Sequence, residues 1–67
     1  MIIYKDILKK LKDAGYTTTR LRKEKILSEG TIQRLRDSKP ITTETLDLIC
    51  NITNCGISDL IEHKKDG

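Results

Sequence analysis

Apolar residues recur at Ile3, Ile7, Leu8 and Leu11, with Lys and Asp between them. Spacings of three and four keep such positions on one face of an α-helix. The pattern predicts a first helix over about residues 3–14, stopped at Gly15, where a left-handed turn carries no steric cost. Thr17, Thr18 and Thr19 follow. A hydroxyl at this point accepts a hydrogen bond from a free amide of the next helix, so Thr17 is expected to cap a second helix over about 18–25, anchored by Leu21. Ile26 and Leu27 interrupt the polar run. Ser28 is the expected cap of a third helix, 29–36, whose only apolar residues are Ile32 and Leu35. Residues 37–40 read as a loop, because the position before Pro40 is pushed out of helical geometry. Thr42 or Thr43 caps a fourth helix over about 43–53. Leu46, Ile49, Cys50 and Thr53 form its stripe, widened by Leu48 and Ile52, which places this helix at the centre. Asn54-Cys55-Gly56 ends it. Ile57-Ser58-Asp59-Leu60-Ile61 reads as an apolar residue, an N-cap and one or two turns of a fifth helix. Residues 63–67 read as a frayed, charged tail. No strand of useful length is expected, so the predicted fold is all-α: a compact five-helix bundle.

Composition narrows the class. Sixty-seven residues make one domain, expected to span 1–67, and a chain this short buries only about 60% of its unfolded surface. Phe and Trp are absent, so the core is aliphatic, with Tyr4 and Tyr16 expected to pack against it. No apolar run approaches the roughly 20 residues that span a membrane, and the N-terminus lacks the apolar stretch of a signal peptide. A cytoplasmic location is expected. Cys50 and Cys55 are too few for a disulfide scaffold and are expected as packed free thiols. With only His63 as a further soft ligand, they lack the four ligands of a structural zinc site, so no metal is expected. Ser28 and Cys50 have no sequence-local base partner, and no Gly-rich phosphate loop is present. The chain is therefore not expected to be an enzyme or to carry a cofactor.

The net charge of +3 is unevenly spread: residues 1–39 carry +6 and residues 40–67 carry −3. All four Arg lie between Arg20 and Arg36. A basic face suits a polyanion, and the planar guanidinium suits phosphate and guanine. An ordinary solvated helix surface explains the same charges about as well.

The layout of residues 17–35 decides between these readings. A short capped helix, a tight turn through Leu27 to Ser28, and a second short helix packed only through Ile32 and Leu35 suit a helix-turn-helix. The outer face of the second helix is then free to enter the DNA major groove, about 12 Å wide. Arg34 suits guanine, Gln33 suits adenine, and Glu29 accepts from cytosine.

The stretch TTTRLRKEKILSEGTIQRLRDSKPITTETLDLICNITNCGISDLI resembles the lambda repressor/Cro-type helix-turn-helix, in particular its small stand-alone bacterial members. The resemblance runs from about Tyr4 to Glu62. Its most specific parts are Leu21-Arg22-Lys23-Glu24, Ser28-x-x-Thr31-Ile32-x-Arg34-Leu35, Thr42-x-x-Thr45-Leu46 and the Asn54-Cys55-x-Ile57-x-Asp59-Leu60-Ile61 stretch. The resemblance implies a five-helix domain that binds operator DNA, commonly as a homodimer on a pseudo-palindromic site, and regulates transcription, with repression the expected sense. By position it implies base contacts at Glu29, Gly30, Gln33 and Arg34, and a base or phosphate contact at Thr31. Gly30 brings no side chain, only a close approach of backbone. Thr18, Ser28, Arg36 and Lys39 match positions that grip the DNA backbone, and Thr19 and Arg20 join them as phosphate candidates. Ile26 stands where the family places a glycine with positive φ, so either the turn differs or the second helix runs on by a residue. Two other readings stand beside this one: a protein-binding module of antitoxin type on the same fold, and a basic surface on an anionic membrane. The second requires exposed apolar residues beside the lysines of the first helix.

Overall fold

The computed structural model describes residues 1–65. Its elements are β1 (Ile2–Tyr4), α1 (Ile7–Asp13), α2 (Thr18–Lys23), α3 (Glu29–Arg36), α4 (Thr43–Thr53), α5 (Ile57–Leu60) and β2 (Ile61–His63). The five helices are present, but the fold is not strictly all-α. β1 and β2 form a small antiparallel sheet, with Ile2 opposite His63, Ile3 opposite Glu62 and Tyr4 opposite Ile61. Ile-Ile-Tyr is a run of strand formers. Its ladder is extended at both ends: Lys5 N–H donates to the Leu60 carbonyl at 2.8 Å, and Lys64 N–H donates to that of Met1 at 2.9 Å. The first helix is therefore shorter than its apolar spacing suggests. Asp6 is left-handed (φ 47°), which breaks the chain between strand and helix and assigns Ile3 to the sheet. The expected frayed tail is also corrected at its start, since His63 is paired in β2; residues 66 and 67 lie outside the described residues.

The capping expectations fare better, because capping is local. Thr17, Ser28 and Thr42 each accept a hydrogen bond from the backbone N–H three residues on, at 3.2, 3.2 and 3.1 Å. α5 starts two residues earlier than expected. Gly56, not Ser58, is its N-cap, and Gly56 N–H donates to the Asp59 carboxylate at 3.0 Å.

The first four helices end alike. A left-handed residue follows each: Gly15 (φ 92°), Lys25 (φ 56°), Ser38 (φ 55°) and Asn54 (φ 56°). The next amide then turns back onto the last helical turn. Tyr16 N–H reaches the Leu11 carbonyl at 2.7 Å, Ile26 that of Leu21 at 3.0 Å, Lys39 that of Arg34 at 2.8 Å and Cys55 that of Cys50 at 3.2 Å. This is the Schellman closure, which satisfies carbonyls the helix leaves open.

Among the described residues, nine aliphatic side chains form the core: Ile7, Leu11, Leu21, Leu27, Ile32, Leu35, Leu46, Ile49 and Leu60. α1 packs against both α3 and α4, and α4 packs against α5. α4 supplies Leu46 and Ile49 to the core, while Leu48, Cys50 and Ile52 are half-buried at its margin. Tyr4 and Tyr16 also pack at the margin. Both cysteines are free.

Candidate nucleic-acid interface

α3 is fixed to the body by two side chains. Ile32 is fully buried and Leu35 is 8% exposed. Every other residue of the helix except half-buried Thr31 is exposed. The apolar spacing of three leaves room for nothing else on the inner edge, so Glu29, Gly30, Gln33, Arg34 and Arg36 face solvent. Leu21 and Leu27, both buried, support the helix from α2 and the turn. The first turn of α3 is held by Ser28, whose hydroxyl also meets that of Thr31 at 2.9 Å.

The polar side chains differ in how far they are already engaged. Gln33 donates from Nε2 to the Asp37 carboxylate at 2.9 Å and accepts from Arg36 Nη1 at 3.3 Å. Arg22 on α2 pairs with Glu29 on α3, which offsets the one carboxylate on the outer face of the recognition segment. The side chains of Arg34 and Lys39 have no hydrogen-bond or ion-pair partner among the described residues. The closure of α3 brings the backbones of these two residues together, because the Lys39 amide is bonded to the Arg34 carbonyl at 2.8 Å. The carbonyl end of the helix macrodipole favours cations here.

The N-terminus of α2 carries a second group of candidates. Thr18 is half-buried, Thr19 is exposed, and Thr17 and Thr18 line a groove with Asp6 and with Leu8, Lys9 and Lys12 of α1. Lys9 and Lys12 were not singled out from the sequence as site residues. Their spacing of three, on the polar side of the first helix, was the available signal. A second groove at the turn is lined by Arg22, Lys25, Leu27, Ser28 and Glu29, which adds Lys25 to the cations beside the start of α3.

Arg20 stands apart from the other candidates. Its Nε is paired with Glu24, and its Nη1 donates to the Gly15 carbonyl at 3.0 Å. Its guanidinium lies 4.4 Å from the centre of the Tyr16 ring. The hydrogen bond to Glu24, and then the charge of that carboxylate, raise its pKa above the ordinary arginine value. These contacts tie the end of α1 to α2, an intramolecular task that the sequence did not disclose. Glu24 is thus the partner of Arg20.

The turn between α2 and α3 resolves the question raised by Ile26. α2 stops at Lys23, and the left-handed position is Lys25. Ile26 has ordinary backbone geometry and packs half-buried against the core. The turn differs; the helix is not longer.

The family of the Cro/C1-type HTH DNA-binding domain matches the chain over residues 6–66. Among curated proteins nothing matches. Nor does any solved structure. The chain belongs to the Cro/C1-type helix-turn-helix family, whose domain binds DNA.

Proposed function

We propose that the chain is a sequence-specific regulator of transcription, a repressor in its expected sense, that places α3 in the major groove of double-stranded DNA. The observation that carries this reading is the division of α3 into a two-residue inner edge and a polar outer face with an unpartnered Arg34. In this reading Arg34 and Gln33 contact base edges, with Glu29, Gly30 and Thr31 at the leading end of the helix. Thr18, Thr19, Ser28, Arg36 and Lys39 hold phosphates, joined by Lys9 and Lys12 along the first groove. Phosphate contacts set the position of the domain, and base contacts carry the sequence preference. Gln33 exchanges its bond to Asp37 for one to a base. Arg20 supports the α1–α2 corner rather than holding a phosphate.

One domain of this size covers little DNA. Useful affinity therefore argues for a homodimer, with two α3 helices about 34–36 Å apart on a pseudo-palindrome. A membrane role gains no support: Leu8 is half-buried beside the α1 lysines, and no helix among the described residues is long and apolar enough to cross a membrane. A protein-binding module on the same fold is favoured by a different observation, the half-exposed Ile2 and Ile57 at 50% each.

Titration of duplex DNA at a series of salt concentrations tests the main reading. Binding led by phosphates releases counterions, so affinity is expected to fall steeply as salt rises. A flat response, or no binding to any duplex selected from random sequence, overturns it.

A further inference from the structure

The helix closures carry a second message. In a Schellman closure, the residue after the left-handed one donates its amide to the carbonyl five residues back, and a contact between those two side chains frequently accompanies the bond. In α1 these are Leu11 and Tyr16, and in α2 they are Leu21 and Ile26, both apolar pairs at the core. In α4 they are Cys50 and Cys55, the chain's two cysteines. The Cys55 amide donates to the Cys50 carbonyl at 3.2 Å. That bond keeps the two Cα atoms within about 7 Å. Disulfides span Cα separations of roughly 4.4–6.8 Å. Both thiols are free and half-buried at the margin of the core, so a small oxidant has access to them. The Cys55 thiol donates to the Thr53 carbonyl at 3.6 Å, a weak contact that a disulfide would replace.

We propose that Cys50 and Cys55 are a redox pair that closes into an intramolecular disulfide on exposure to a peroxide. One thiolate attacks a peroxide oxygen, the O–O bond breaks, and a sulfenic acid and one water result. The second thiolate attacks the sulfenic sulfur, the S–S bond forms, and the sulfenic oxygen leaves as a second water. The two thiols give up two protons and two electrons, and hydrogen peroxide takes up both. The bond staples the end of α4 to the approach of α5, whose Leu60 is fully buried. α3 lies outside the closed loop, so this site stands or falls independently of DNA binding.

The test treats the folded protein with hydrogen peroxide, alkylates it with iodoacetamide and measures intact and peptide masses. The expected product is a monomer about 2 Da lighter that takes up no alkyl group, keeps its helical circular dichroism and reverts with dithiothreitol. Cys55→Ser is expected to give no lighter species and to leave a sulfenic acid on Cys50 that dimedone traps. Independent sulfinic or sulfonic acids on the two residues, disulfide-linked dimers as the main product, or closure only with loss of the helical signal would each overturn the proposal.

Discussion

Lys25 adopts the left-handed conformation that the family pattern places one position later, at Ile26. An L-residue in that conformation costs roughly 1–2 kcal/mol, partly offset for glycine by about 0.5–1 kcal/mol of extra unfolded-state entropy. Lys25→Gly is therefore expected to stabilise the fold by up to about 1 kcal/mol. Ile26→Gly, which restores the family residue, is expected to destabilise it by about 2 kcal/mol or more, because it removes a half-buried side chain where no positive φ exists. Urea midpoints of the two variants, moving in opposite directions, check the shifted turn. The sequence exposed the conflict at Ile26 but not its solution, since a one-residue slide of a turn depends on how Ile26 packs against the core. Arg34 makes the sharper functional test. Arg34→Ala is expected to cost about 1–3 kcal/mol on the preferred site and to relax the base preference at one position. Equal loss on all sequences, measured by competition with unrelated duplexes, assigns Arg34 to phosphate alongside Lys39.

α3 was legible almost to the residue because its determinants are local: a serine cap, two apolar residues three apart, and a loop before proline. Its side-chain partners were not, because the Arg22–Glu29 pair joins two helices and depends on how the turn sets them. Gly30 separates folding from function within this helix. A Cβ added there meets no atom within 4 Å, and its backbone needs no positive φ, so nothing in the fold requires glycine. Gly30→Ala is expected to stabilise the helix by up to about 1 kcal/mol. If the backbone approaches DNA closely at this point, the same variant weakens binding. Thermal unfolding and a binding titration on one sample read both effects; unchanged affinity removes Gly30 from the contact surface.

The assembled molecule shows where reading along the chain runs short. Ile2-Ile3-Tyr4 is too brief to announce a strand, and its partner lies at the far end of the chain, so local pattern extended the first helix through Ile3 instead. The core residues, by contrast, follow from the helical stripes, with Leu27 drawn in from the turn. The DNA-binding reading also reaches beyond one copy. Sedimentation at working concentration, with and without duplex, is expected to show two copies per site. A single copy in both states removes the dimer and leaves the 34–36 Å spacing without a basis.

The small sheet has a mechanical consequence. Its rungs run in order from Met1–Lys64 inward to Lys5–Leu60, so tension drawn from the two ends loads them one after another, never all together. The outer rungs would open like a zipper under a modest pull. The innermost, anchored next to the buried Leu60, would be the last to part before α5 left the core.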